Sequence, residues 1–484
     1  FLCRDRFGVK PLFYKYDSRN LIFSSELTPI IFLSPDSDLI DYHSLYRFLV
    51  FWYVCEPDTI YKKIKSLNPG HFLAIKSTGK ISLHEWWKPN FNKKVESKKE
   101  FINNLSYLIK DSVNLRLLSD VPITSLLSGG IDSGIVTYFW SQLSSEANKE
   151  SFTLGFEEKS YDESSLARKQ ADKCNISLKD SILKTPSFED LHFLYSRIDQ
   201  PLGNSSFVGS MRLFESVSKN SYKVCLTGDG ADEIFGGYPT YQMYNLSRFW
   251  DKMPRFFQKK FSNIFKNIPV SFSLISFDYK IKQFLKSTEF EPHHPFYRSI
   301  FTPDLAKIVC PSCNDISYEQ LIKPFKTSLE KSAGRNFSKE NANLQLDFDT
   351  FLLNDHLPKI DRSSMAYGVE ARNPYLDYRI YEFAYSNPHY YKYSILSLKK
   401  SLKKIGNNIL HKDILSSKKK GLTLPIANWI NSDLGVELEN NILSSDFAKN
   451  IFNCDYINQL FTDHRSMVKD NSREIWAINS LILW

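Results

Sequence analysis

A parallel α/β sheet with flanking helices, preceded by a β-rich segment and followed by a mostly helical half, is the architecture this sequence predicts. Three observations predict it. Short apolar runs, at the start of Val121–Val136 and at Phe152–Phe156, Ser181–Lys184 and Lys223–Thr227, alternate with stretches of helical spacing, the pattern of βαβ units. Two of those runs end in glycine-rich loops, where a parallel sheet places its ligands, beyond the carboxyl ends of the strands. From about Tyr241 to Trp484 the apolar and aromatic residues recur at helical intervals, as in Leu344–Leu357, and most of them read as core.

Phe1 to Trp87 is rich in short alternating strands. Leu12–Tyr16 and Leu21–Ser24 flank Asp17-Ser18-Arg19-Asn20, a hairpin-type turn, and Gly70–Ile75 and Lys80–Leu83 flank Ser77-Thr78-Gly79. Tyr42–Val54 reads as a helix between them. Lys88–Lys99 carries Pro, Asn, Lys and Ser with little apolar content and reads as a linker. Phe101–Leu118 has helical spacing through Leu105, Leu108, Ile109, Val113 and Leu117, and Asp162–Cys174 reads as a further helix. The division expected is 1–87, 88–99 and 100–484.

A chain of 484 residues exceeds one ordinary core. With 42% hydrophobic and 24% charged residues it has the composition of a globular protein. The net charge of +8 is dispersed, with one cluster at Lys418-Lys419-Lys420. That balance suits a nucleotide or an acidic small molecule and requires no nucleic acid. Seven scattered cysteines, an odd number, favour reduced thiols and a cytoplasmic location. Cys310-Pro-Ser-Cys313 has zinc-type spacing but no companion pair, so two small buried residues are expected there. The longest apolar run, Phe48–Val54, is too short to span a bilayer. The chain opens on Phe1-Leu2-Cys3-Arg4, already strand-like and without Met, and reads as a fragment lacking its natural N-terminus.

Two loops carry the chemistry. Ser128-Gly-Gly-Ile-Asp-Ser133 follows a strand and opens a helix, so its backbone N–H groups and the helix N-terminus form an anion cradle. Asp132 belongs beside phosphates only with a divalent cation between them. The glycines are not followed by lysine, which excludes a Walker A loop. The second loop, Leu226-Thr-Gly-Asp-Gly-Ala-Asp-Glu-Ile-Phe-Gly-Gly-Tyr238, again ends a strand and brings Asp229, Asp232 and Glu233. Together they read as the two halves of an ATP–magnesium site, with Asp132 and Asp232 as metal ligands.

The ordered set of motifs resembles the glutamine-dependent asparagine synthetase family. SGGIDSG and LTGDGADEIFGGY resemble its PP-loop ATP pyrophosphatase domain. Arg4–Tyr14, Ser24–Glu26 and Pro69–His71 resemble the late strands of its glutaminase domain. Asp361–Asp377 and Lys418–Pro425 resemble segments of its helical half. The resemblance implies an adenine nucleotide alpha hydrolase-like fold behind the remnant of an N-terminal-nucleophile α+β glutaminase domain. The implied reaction is ATP-dependent conversion of aspartate to asparagine through an acyl-adenylate, using ammonia or glutamine, ATP and Mg2+. No nucleic-acid or membrane partner is implied, and a homodimer is compatible.

By the same resemblance Ser128, Gly129, Gly130, Ile131, Asp132 and Ser133 bind the pyrophosphate part. Leu126 and Leu154 contact the adenosine, and Thr227 and Gly228 lie along the adenylate. Asp229 stands where the family has an acidic general base. Lys419 aligns with a lysine that stabilises the charged intermediate, Lys418 and Lys420 leaving the register open by one. Glu370 and Arg372 read as pocket residues or as a buried ion pair. Two departures concern the acceptor: Gln200 stands in Asp199-Gln200-Pro201 where an acid often precedes the proline, and Leu422 stands for a usual Phe. They keep open an amidotransferase acting on a sugar or peptide-precursor carboxylate, and, in another class, a non-catalytic interaction protein. The family's cysteine nucleophile would precede residue 1, and Cys3 is not that group.

Overall fold

The computed structural model describes residues 1–17, 20–34, 39–76, 79–158, 160–266, 277–417 and 421–484. Its central feature is a five-stranded, wholly parallel sheet. The strands are β7 (Ile123–Leu126), β8 (Glu150–Phe156), β9 (Ser177–Leu183), β10 (Val224–Leu226) and β11 (Glu370–Arg372), in the spatial order β11-β10-β7-β8-β9. The chain runs outward from β7 through β8 to β9, then returns to the other side of β7 with β10. The gap between β7 and β10 is therefore the point where the winding reverses, and parallel sheets open a crevice there for ligands. Ile131–Leu143, Ser164–Cys174 and Ser206–Lys219 are the helices of the successive crossovers. They pack on the sheet, in which three of the four residues of β7 and all three of β10 are buried.

The N-terminal segment forms two small antiparallel sheets. β2 (Phe13–Tyr16) pairs with β3 (Leu21–Ser24) and with β4 (Lys65–Ser66). β5 (His71–Ile75) pairs with β1 (Leu2–Cys3) and with β6 (Ile81–Glu85). Both expected hairpins are present as strand pairs; residues 18, 19, 77 and 78 of their turns lie outside the described residues. The helix between them runs Tyr42–Phe51, with Asp41 accepting from the His43 N–H at 3.3 Å as its cap. It stops three residues before the expected end because Trp52 adopts a left-handed conformation (φ 61°).

This segment shares its core with the helical half. Eight of the ten residues of Tyr42–Phe51 are buried, packed with Phe296, Phe325 and Ile475. Phe7 makes edge-on ring contacts with Trp87, Phe348 and Tyr381. The expected linker is irregular in backbone but tied down. Its Asn90, Lys93 and Val95 N–H groups donate to Glu382, Ser386 and Asn387 at 3.0, 3.1 and 3.1 Å. Lys98 and Lys99 belong to the helix Lys98–Leu115, capped by Ser97, so the irregular stretch ends earlier than the sequence suggests.

The Leu344–Leu357 stretch is not one amphipathic α-helix. An α-helix over Lys339–Asp347 widens into π-helical turns over Phe348–His356 and tightens again as Leu357–Met365. Such widening redirects side chains, often at functional sites. Here Asp347 and Asp355 are both buried. Cys310 and Cys313 are fully buried with their Sγ atoms 3.5 Å apart, and all seven cysteines are free thiols. Among the described residues no helix is long and apolar enough to cross a membrane.

Candidate active site

β7 delivers Ser128 to the mouth of the crevice, and the helix Ile131–Leu143 begins directly behind it. Gly129 has φ 73°, and a Cβ there would stand 2.8 Å from Leu166 Cβ and 3.0 Å from the Glu163 carbonyl oxygen, so both conformation and space demand glycine. Ser133 Oγ accepts from the Ser128 N–H at 3.2 Å and lies 3.1 Å from Ser128 Oγ, which holds the loop closed. The helix N-terminus at Gly130 has no side-chain cap. Its first N–H groups therefore face the mouth of the loop as donors for an anion.

The second loop meets the first directly. A Cβ on Gly228 would lie 3.0 Å from the Ser133 nitrogen and 3.2 Å from Asp132 Cβ, so glycine permits the two loops to touch. Thr227, almost fully buried, donates its N–H to the Arg372 carbonyl at 2.9 Å and accepts from Asn373 Nδ2 at 2.9 Å. Tyr375 Oη donates to the Asp132 carbonyl at 3.2 Å, fixing that residue from a third segment.

Asp132 and Asp232 converge on one cation, the ammonium of Lys399. Lys399 Nζ pairs with Asp132 Oδ2 and lies 2.5 Å from Asp232 Oδ1, with its side chain 7% exposed. Burial opposes the lysine's charge, but the two carboxylates outweigh it and hold its pKa above the ordinary value. Lys399 itself has φ 51°, an uncommon conformation for a non-glycine residue, at the start of the helix Lys400–Gly406. Sequence reasoning missed it, because among Lys399, Lys400, Lys403 and Lys404 it looks like one residue of a solvated basic helix face. Lys419, expected to stabilise the charged intermediate, lies with Lys418 and Lys420 outside the described residues.

A second set of buried ionisable groups lies against the same loop. Burial raises the pKa of the Asp229 carboxyl, opposed by the charge of Lys359. Lys359 Nζ donates to Ser206 Oγ at 3.2 Å. Asp355, fully buried, accepts from Trp52 Nε1 at 3.0 Å and Asn204 Nδ2 at 2.7 Å. Burial pushes it up to about 6, with Lys359 opposing. Beside Asp232, Glu233 is pushed up to about 8 by burial and by the Asp232 charge, while the Tyr238 hydroxyl donates to it at 2.7 Å.

The remaining expected positions divide. Leu126 ends β7, and Leu154, buried near the end of β8, packs on Gly209 from the same side as Leu422. Glu370 and Arg372 form an ion pair that is not buried. They pair with each other at 3.0 Å, half the Glu370 side chain is exposed, and Arg372 also ties down the Arg116 and Leu118 carbonyls at 2.8 Å. At the Gln200 departure, Gln200 Oε1 accepts from the Ile60 N–H at 2.9 Å, and its neighbour Asp199 pairs with Arg362.

Two abutting glycine-rich loops at the reversal point of a parallel sheet, bridged by a carboxylate–lysine–carboxylate cluster, define a ligase-type site. The family described as asparagine synthase matches residues 104–484, and a glutamine amidotransferase domain matches residues 1–87; the chain belongs to the asparagine synthase family. It is 27% identical to asparagine synthetase [glutamine-hydrolyzing] 1 of Bacillus subtilis over 99% of this chain and 74% of that protein. It is 29% identical to a putative asparagine synthetase 2 of Methanocaldococcus jannaschii over 75% of this chain and 69% of that one. It is also 29% identical to the amidase chry2 of Gibberella zeae over 50% of this chain and 38% of that one.

Proposed function

We propose that this chain amidates the side-chain carboxylate of aspartate to give asparagine, by way of β-aspartyl-AMP, with AMP and pyrophosphate released. In the longer family members ammonia would come from glutamine hydrolysis. The observation that carries the reading is the Lys399 bridge between Asp132 and Asp232, set on a loop built for an anion. A carboxylate is a poor electrophile. Its oxygen attacks the α-phosphorus of ATP, the bond to the pyrophosphate oxygen breaks, and the acyl carbon gains a good leaving group. Ammonia then attacks that carbon, the bond to AMP breaks, and a proton leaves the nitrogen.

The residues supply binding, charge and a proton acceptor. Ser128, Ser133 and the N–H groups from Gly130 onward take the departing phosphates. Lys399 offsets their charge as it grows, a role that suits a compact ammonium. Asp229, whose pKa is lifted by burial, becomes a better proton acceptor for the attacking nitrogen. The carboxylates of Asp132 and Asp232 already share one cation, so the pair fits a divalent ion as well as the lysine. Among the described residues no three His, Cys, Asp or Glu side chains gather as a metal cluster. Asp132 and Asp232 would hold Mg2+, which would supply charge neutralisation beside the phosphates.

The test is pyrophosphate release from ATP with ammonia and aspartate. Aspartate-dependent pyrophosphate and asparagine in equal amounts support the reading. Release only with another carboxylic acid moves the chain to the amidotransferase alternative, and release with none supports a non-catalytic role.

A further inference from the structure

A cavity of about 200 Å³ opens at the same edge of the sheet and has no role in the reaction as described. Trp52, Tyr161, Asn204, Tyr279, Asp470 and Arg473 line it. It shares walls with the site. Trp52 and Asn204, which line the cavity, both donate to Asp355, and Asp355 and Asp229 feel the same Lys359 charge. Leu422, also in the lining, meets Gly209 of the helix Ser206–Lys219 beside Leu154. A Cβ on that glycine would stand 3.0 Å from Leu154 Cδ2 and 3.4 Å from Leu422 Cδ2.

The cavity carries one acid and one base that are not joined to each other. Asp470 Oδ1 accepts from the Ser472 N–H at 3.0 Å. His464 Nδ1, 3.6 Å from that oxygen, lies 3.3 Å from the Asn471 N–H. With Nδ1 as acceptor, Nε2 carries the proton and donates to the Ala427 carbonyl at 3.1 Å. In that arrangement Nδ1 has no proton to donate to Asp470. Arg473 donates to the Tyr279 hydroxyl and lies over its ring, 4.3 Å from the centroid. Among the described residues no acid pairs with it. Burial raises the pKa of the Tyr161 hydroxyl first; Glu158 and Asp470 add to this and Arg473 opposes it, so both cavity charges reach the same wall.

An acid and a base lining one small aromatic-walled space next to an adenylating site match a zwitterion. We infer that this cavity holds the α-amino-acid end of the acceptor, with Asp470 taking the ammonium and the Arg473 fork taking the α-carboxylate. Asp470 and Arg473 are then specificity residues. A plain dicarboxylate leaves Asp470 without a cation, and an N-acylated acceptor removes the charge Asp470 selects. This assignment rests on the amidation reading for the role of the bound molecule, but binding tests it independently.

The full chain is titrated by calorimetry with aspartate, succinate and N-acetylaspartate, beside the pyrophosphate assay. Aspartate should bind at least about tenfold more tightly than either analogue, the difference a charged hydrogen bond makes. Arg473→Gln should weaken aspartate by about tenfold to a hundredfold and Arg473→Lys by less, with ATP affinity unchanged as proof of a folded protein. Asp470→Asn should lower aspartate to the affinity of succinate and leave succinate as it was, which a merely structural residue would not do. Equal binding of aspartate and succinate by the unmodified chain, or wild-type aspartate affinity in both Asp470→Asn and Arg473→Gln, overturns the assignment. Selective aspartate binding without pyrophosphate release from any acid supports the cavity and sinks the amidation reading. Pyrophosphate release from aspartate that neither substitution alters does the reverse.

Discussion

Lys399 Nζ lies 2.5 Å from Asp232 Oδ1 while also pairing with Asp132, so a single ammonium ties together the two glycine-rich loops of the sheet. The cluster is buried, which makes each charge depend on the others. Removing one partner of a buried ion pair typically costs about 3–5 kcal/mol, because the charge left behind has lost both water and its partner.

Lys399→Met should therefore lower thermal stability and abolish pyrophosphate release. The two carboxylates it leaves are a better divalent site than before, so millimolar Mg2+ should raise the melting temperature of the variant more than that of the parent. Equal shifts in the two proteins would count against the shared-cation picture.

Asp132→Asn and Asp232→Asn each keep shape and remove one charge. Pyrophosphate release should fall by about a hundredfold to a thousandfold in each, the range for a lost electrostatic contact at a reacting centre. The double variant should fall little further, since both residues act on one cation. Purely additive losses would separate their roles.

Gly228→Ala inserts a methyl group 3.0 Å from the Ser133 nitrogen and forces the loops apart. It should cost about 1–3 kcal/mol of stability. A displacement of this kind should also lower kcat/KM for ATP by about a hundredfold. Thermal melts and steady-state kinetics on the same preparation measure both.

Glu233 gives a pH signature. Its pKa is about 8 in the folded protein against 4.5 for the free group, because burial and the Asp232 charge disfavour ionisation. The native state therefore keeps a proton that the unfolded chain has lost. The stability this provides is complete below about pH 4.5 and is lost as pH rises through about 8. Glu233→Gln cannot ionise, so its stability relative to the parent should increase across that window by on the order of a few kcal/mol. Denaturant melts at pH 5, 6.5 and 8 would reveal it, and a pH-independent difference would contradict it.

Much of this was legible in the chain. Short runs ending in Gly, Ser and Asp mark β7 and β10 because a buried parallel strand carries few charged residues and its ligand end needs small or acidic ones. The helix after Ser128 followed from the apolar run behind the glycines, and the β2–β3 and β5–β6 pairs from alternation and the turns between them. Other features were not legible. The π-helical turns at Phe348–His356 carry no period of their own, and the end of the Tyr42 helix at Trp52 is imposed by the packing around it. Glu370 and Arg372, two residues apart on β11, form an edge ion pair that the same letters could equally have turned toward a pocket.

By itself the sequence determined four of the five strands and the two loops that carry Asp132 and Asp232, since each of these depends on residue type within one short stretch. Only the tertiary structure decided which lysine joins them, that Asp229 and Asp355 share the field of Lys359, and that Asp470 and Arg473 stand beside the site. The physical reason is distance along the chain. Lys399 is 267 residues from Asp132, and a contact of that span is chosen by the packing of a whole core, of which no local pattern of residues bears a trace.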